Sequence, residues 1–224
     1  MDLSTLVGDW DRILLSVFED REVVYNLNEI NNLYKTSLVK IYPEQIDVFK
    51  AFKECPYNKL SVVILLQDPY HDGSATGVAT ANVKEQNPLS PSLRIIKDAV
   101  SQEIYKGLDF DFDPTLIKWE RQGVVMLNTA LTVESGNPLS HQKYWKRFTE
   151  LTLRKLSEIN SGIVYCLWGK HADAYAIYIN SNNNTILRCT HPVYASYRGI
   201  PWTCSHFKDI NKYLKDFNNL TINW

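Results

Sequence analysis

The architecture of this chain can be read from residues 60–82, LSVVILLQDPYHDGSATGVATAN. The run begins apolar, and its β-branched and leucine content is that of a strand buried on both faces. It then packs Gln67, Asp68, Pro69, Tyr70 and His71 together, followed by Gly73 and Gly77. A strand that ends in titratable and rigid residues is placing chemistry at a sheet edge.

Three further runs share the strand character: GVVML (123–127), GIVYCLW (162–168) and NTILRC (184–189). Helical patterns separate them, in PSLRIIKDAVSQEIY (91–105), YWKRFTELTLRKLSEI (144–159) and KHADAYAIYI (170–179), with a last one in SHFKDINKYLKDF (205–217). Upstream, Leu6, Trp10, Ile13, Leu14 and Phe18 share one helical face. YPEQIDVFKAFKE (42–54) reads as a helix with Pro43 in its first turn and Ile46, Phe49 and Phe52 inward. Strand–helix alternation predicts an α/β fold: one domain over 1–224, with a short parallel sheet of about four strands and helices on both faces.

Ligands of open parallel sheets bind beyond the carboxyl ends of the strands. That rule gathers Asp68, Asn128, Gly169 to His171, and Thr190 to Pro192 on one rim. Asp68, stiffened by Pro69, is suited to orienting a water or stabilising a developing cation, or else to capping a turn. His191 precedes Pro192, which holds it out of the α region. Asn128 carries a donor and an acceptor side by side, for a ligand or for nearby backbone.

Composition removes several function classes. The chain has 224 residues, 45% of them hydrophobic, and a net charge of −1, which excludes a global basic coat but not a local phosphate site. Its four cysteines, Cys55, Cys166, Cys189 and Cys204, form no C-x-x-C pair, so we expect reduced thiols and neither zinc nor an iron–sulfur cluster. The N-terminus lacks a basic signal region, and no apolar run reaches the roughly 20 residues that span a bilayer. The expected compartment is a reducing one, cytoplasmic or nuclear. GSATG lacks the Lys-Ser/Thr of a phosphate loop, and LDFDFDP (108–114) lacks the later Gly and Glu of a calcium loop. NPLSPSL (87–93) is a turn entering a helix, with a plain cap or a phosphate contact as its use.

Taken together, QDPYH (67–71), ATGVA (75–79), VVMLNTALTV (124–133), CLWGKHA (166–172), HPVYAS (191–196) with RG (198–199), and the closing INW resemble the uracil-DNA glycosylase family, in order and over most of the chain. The resemblance implies base flipping and hydrolysis of the N-glycosidic bond of uracil in single- or double-stranded DNA, initiating base excision repair, with no cofactor. It implies that Asp68 faces the sugar and positions the water, while His191 stabilises the departing uracil anion. Asn128 would read the uracil edge, Tyr70 would exclude a C5 methyl group, and Gln67 would contact the base through its backbone. His71 would support the water or sugar side. Phosphate and DNA contacts would fall to Pro91, Ser92, Tyr194, Ala195, Ser196 and Arg198. A monomer with no membrane association, and with a protein inhibitor or replication factor as partner, is the expected state.

Three positions depart from the family pattern. Leu66 replaces a glycine, and either crowds the pocket floor or points into the core. Thr80 stands where an aromatic would stack on the base, a contact worth roughly 1–3 kcal/mol. Val193 and Ala195 replace the serine and the leucine wedge of the family loop, leaving Tyr194 or Tyr197 as wedge. These departures give a binding module with little catalysis as the alternative to an enzyme, and a shifted base preference as a third reading. The retained Asp68 and His191 favour the enzyme.

Overall fold

The computed structural model describes residues 3–224. In chain order the helices are α1 (Leu3–Val7), α2 (Asp11–Phe18), α3 (Arg21–Thr36), α4 (Lys50–Glu54), α5 (Pro91–Glu103), α6 (Ile117–Glu120), α7 (Gln142–Ile159), α8 (Lys170–Asp173), α9 (Pro192–Arg198) and α10 (His206–Asn218). The strands are β1 (Ile41–Tyr42), β2 (Val62–Leu66), β3 (Val124–Asn128), β4 (Val133–Glu134), β5 (Val164–Trp168) and β6 (Thr185–Cys189).

The main sheet has the order β3-β2-β5-β6, and every pairing in it is parallel. All residues of β2, β3 and β5 are buried, as their unbroken apolar character requires when helices cover both faces. β6 is an edge strand and correspondingly half-exposed. In β2, Val62, Val63, Ile64 and Leu65 are 0% exposed, and each such side chain contributes about 1.5–3 kcal/mol. Parallel register places Leu66 beside Asn128 and Trp168 beside Cys189, so the four strand ends form the rim that the alternation predicted.

The helices are held by local and distant contacts. Asp20 caps α3 by accepting from the Glu22 and Val23 amides, and it also receives Arg147 of α7 at 2.8 Å. The Arg147 hydrogen bond holds the Asp20 carboxyl below its ordinary range. On the core side of α2, α4 and α7, Phe49, Phe52, Trp145 and Phe148 meet edge to face at 5.6–6.2 Å in the pairs Phe49–Trp145, Phe49–Phe148, Phe52–Phe148 and Trp145–Phe148.

Three segments differ from the sequence-based expectation. Residues 43–54 are not one helix: a 3₁₀ turn at Gln45–Asp47 precedes α4. Its tighter winding turns Ile46 outward, 79% exposed, while Phe49 and Phe52 stay inward. KHADAYAIYI breaks into α8 and a 3₁₀ turn at Ala176–Tyr178. The segment after His191 is a helix, α9, rather than a loop. His191 is its N-cap, Pro192 takes the first turn, and Gly199 ends it at φ +60°. The sequence also did not reveal the small antiparallel pair β1–β4, which is only two residues per strand.

Candidate functional site

Pro69, Tyr70, Thr80 and Asn128 line one pocket at the strand ends, closed from below by Met126, Leu127 and Leu131. The free volume is about 10 Å³, room for a single water. Gly77 makes the surrounding loop feasible. It lies at φ +84°, and a β-carbon there would sit 1.9 Å from the Asp47 carbonyl oxygen.

Asn128 is 8% exposed. Buried amides normally find protein partners. Among the described residues its side-chain amide has none, whereas the neighbouring Thr129 is fully engaged, donating its hydroxyl to the Gln67 carbonyl at 2.6 Å and its amide to Leu66 at 3.0 Å. Asn128 therefore presents an uncommitted acceptor and donor to the pocket. Tyr70 donates its hydroxyl to the Thr80 carbonyl at 3.1 Å, which fixes the ring as a wall. Burial pushes its phenol pKa up, against the Ser90 and Ser92 hydroxyls and the Leu93 amide that face it.

Asp68 is half-buried and held at both oxygens. The Leu139 amide donates to Oδ2 at 2.7 Å, and the Gln67 side-chain amide donates to Oδ1 at 2.9 Å. Leu139 takes φ +68°, an unusual conformation for a residue with a β-carbon. A buried network braces its loop. Trp145 Nε1 donates to Thr132 Oγ1 at 2.7 Å, so the Thr132 hydroxyl turns its own proton to His141 Nδ1 at 2.8 Å. His141 then carries its proton on Nε2, 3.9 Å from Glu134, and burial lowers its pKa. Gly136 donates to the His71 carbonyl at 3.0 Å, tying the same loop to the end of the QDPYH segment. Sequence reasoning missed Leu139 because a backbone amide leaves no residue-type signal.

His191 follows β6, with β5 between it and the strand that carries Asp68. Two strand spacings separate those strands, about 10 Å. Its Nδ1 accepts from the Val193 amide at 3.2 Å, which places the proton of the neutral ring on Nε2. Burial, with His171 nearby, lowers its pKa to about 4. Gly169, at φ +99°, lets the ring sit close: a β-carbon there would lie 3.0 Å from His191 Cβ.

The remaining expected positions separate by burial. Leu66 is 1% exposed in the core and does not line the pocket, which resolves the alternatives left at that position. Thr80 does line it, at φ +60°. Ala195 is 2% exposed, packed inward on α9, so its side chain is not a surface contact. Ser92 is 3% exposed and turned toward Tyr70, leaving the surface of that turn to Pro91. Ser196 is half-buried, while Tyr194, Tyr197 and Arg198 stand outward, with the Arg198 guanidinium 5.4 Å over the Tyr194 ring. His71 is exposed and Gln67 half-buried. A basic groove that the sequence did not single out lies beside His171, lined by Lys143, Lys146 and Lys170.

Residues 52–215 match the model of the Uracil DNA glycosylase superfamily. A uracil-DNA glycosylase of Aliivibrio salmonicida is 37% identical over 220 residues, covering 96% of both chains. One of Fusobacterium nucleatum is 33% identical, covering 99% of this chain and 97% of its own. The crystal structure of mimivirus uracil-DNA glycosylase superposes with a TM-score of 0.86 at 21% identity, covering 100% of this chain and 89% of that one. A variant of the mimivirus protein is known in complex with UGI.

Proposed function

The chain belongs to the uracil DNA glycosylase superfamily, and on that premise we propose how its own residues carry out uracil excision. It is a uracil-DNA glycosylase, a hydrolase of N-glycosyl bonds that starts base excision repair.

The observation that carries the assignment of residues is the uncommitted amide of Asn128 in a pocket walled by Tyr70. Uracil offers an acceptor at O4 and a donor at N3, which Asn128 matches. Cytosine presents the reverse pattern and leaves buried groups unpaired. Tyr70, which lines the same pocket, would exclude a C5 methyl group. As the glycosidic bond breaks, the sugar becomes cationic and the base anionic. Asp68, fixed by Leu139 and Gln67, offers its carboxylate to the sugar and the incoming water. Neutral His191 offers its Nε2 proton to the uracil oxygen where charge develops.

Thr80 and the Gly77 loop border the pocket that the flipped base would enter. On α9, Tyr194 and Tyr197, with Arg198, take the place of a wedge that Ala195 cannot supply. This arrangement favours single-stranded substrate, and Pro91 and Ser196 border the path of the backbone. The protein acts as a monomer in a compartment that holds DNA, and its rim is the surface that a protein inhibitor would cover.

The test is uracil release from a single-stranded oligonucleotide with one central uracil, read by alkaline strand cleavage. A thymine control, a duplex substrate and Asp68→Asn run in parallel. Cleavage at uracil only, faster on the single strand and lost in the variant, is expected. Full activity of Asp68→Asn would refute the assigned role. Unchanged duplex activity after replacing Tyr194 and Tyr197 by alanine would remove the wedge assignment.

A further inference from the structure

We propose that Cys189 and Cys204 form an oxidisable dithiol that peroxide converts to an intramolecular disulfide, while Cys55 and Cys166 stay reduced.

Cys189 ends β6, two residues before His191, and Cys204 lies in the stretch between α9 and α10. The sequence keeps them apart, but the fold brings both sulfurs and a ring nitrogen of His206 within 4.8 Å of one another. The cluster sits at the floor of an open surface groove bordered by Arg188, Ser205 and Asp209. Cys189 is half-exposed there and Cys204 is buried beneath it at 6%. That is the arrangement of an attacking thiol open to a small oxidant and a resolving thiol behind it. Cys189 donates its thiol to the Thr203 carbonyl at 3.8 Å, while a hydrogen bond with the Cys204 thiol lowers the Cys189 pKa. Burial, then that same bond, raises the Cys204 pKa. Cys55 and Cys166 are 0% exposed and burial pushes their thiols up, so neither competes for oxidant.

A metal is the other chemistry such a trio suggests, and His206 argues against it. Its Nδ1 accepts from Trp168 Nε1 at 2.9 Å, and its other ring N–H faces the Arg188 carbonyl. No imidazole lone pair is left for a cation unless a buried indole N–H is orphaned.

The chemistry balances with peroxide as the two-electron oxidant. The Cys189 thiolate attacks one peroxide oxygen. A sulfur–oxygen bond forms, the oxygen–oxygen bond breaks, and the departing hydroxide takes a proton and leaves as water. Cys204 then attacks Sγ of the Cys189 sulfenic acid. The sulfur–sulfur bond forms, the sulfur–oxygen bond breaks, and the hydroxyl leaves with the Cys204 proton as a second water. The bridge ties the strand that carries His191 to the segment that follows α9.

The experiment treats the full chain with hydrogen peroxide, alkylates the remaining thiols and maps peptides without reduction. The expected result is an intact mass lower by two hydrogen atoms and one cross-linked peptide pair joining Cys189 to Cys204, reversed by dithiothreitol. Cys189→Ser, at the more exposed position, should abolish the pair and leave uracil release unchanged. In Cys204→Ser, dimedone should trap a sulfenic acid on Cys189; if that variant fails to fold, the map of the unmodified chain decides. A bridge to Cys55 or Cys166, sulfinic acid on Cys189 with no bridge, or no reaction would overturn the proposal. So would a stoichiometric zinc ion, found by elemental analysis of the purified protein, that blocks the reaction.

Discussion

The Leu139 amide donates to Asp68 Oδ2 at 2.7 Å from a backbone at φ +68°. The carboxylate assigned to the sugar is therefore aimed by a peptide group far along the chain, in a loop that Thr132, His141 and Trp145 hold in place. What matters at position 139 is the N–H and the left-handed backbone, not the leucine side chain.

Leu139→Gly keeps that N–H and relieves the left-handed conformation. Its uracil release should stay within about threefold of the parent, whereas Asp68→Asn should lose about 10²–10⁴-fold. Single-turnover rates on one oligonucleotide compare them. Similar losses in both variants would show that the side chain of Leu139, rather than its amide, supports the site.

His191 makes a signed prediction in pH. Its folded pKa of about 4 lies below the ordinary value of 6.5. Between these values the unfolded chain binds the extra proton, so this group's contribution to stability rises with pH from 4 to 6.5 and is complete above. Protonation also puts a hydrogen on Nδ1 against the Val193 amide and breaks the cap that orients the ring. The acid limb that His191 imposes on kcat/KM should fall toward pH 4. An inflection near 6.5 that vanishes in His191→Gln would count against the neutral ring. At pH 7 that variant should lose about 10²–10³ in rate.

Tyr70→Ala tests the pocket wall. Removing the ring should open the space beside C5 and allow release of thymine from a single strand, with the Tyr70–Thr80 bond lost at the same time. Parallel assays with uracil and thymine oligonucleotides read the ratio. A variant that loses uracil release and gains no thymine release would make Tyr70 a structural wall only.

Glu120 reports on the core rather than the site. It is 0% exposed, with Oε1 accepting from the Met126 amide at 2.9 Å and Oε2 without a partner among the described residues. Burial holds its pKa well above the ordinary 4.5, so the folded chain keeps a proton that the unfolded chain gives up. Stability from this group is greatest below 4.5 and declines as pH rises, by at most about 1.4 kcal/mol per pH unit. Glu120→Gln keeps the acceptor and should flatten the decline of Tm between pH 5 and 8. An unchanged slope would mean that Glu120 is ionised in the fold.

Lys143 and Lys146 line the groove beside His171, and Lys146 is 3.9 Å from Glu150. If the DNA backbone tracks this groove, replacing both by alanine should weaken binding most at low salt and reduce the slope of log K against log salt by up to about 1.4. Fluorescence anisotropy with a single-stranded oligonucleotide measures it. An unchanged slope would place the backbone elsewhere.

Much of this molecule is written in local pattern. The strand runs, their alternation with helices and the residues after each strand give the parallel sheet and put Asp68, Asn128 and His191 at one rim, because strand period and chain direction are local properties. Where the pattern misled, the deciding contact was distant or the local geometry ambiguous. Ile46 turned outward when a 3₁₀ turn replaced an α-turn. The helix after His191 was signalled by Pro192 and Gly199, but its histidine cap is an uncommon one. Leu66 went to the core, Ala195 inward and Ser92 toward Tyr70 because the direction of a side chain at an element's end depends on what packs against it. The amide of Leu139 and the meeting of Cys189 with Cys204 have no sequence signature at all. Both join segments far apart in their local patterns, and only the closed chain sets such distances.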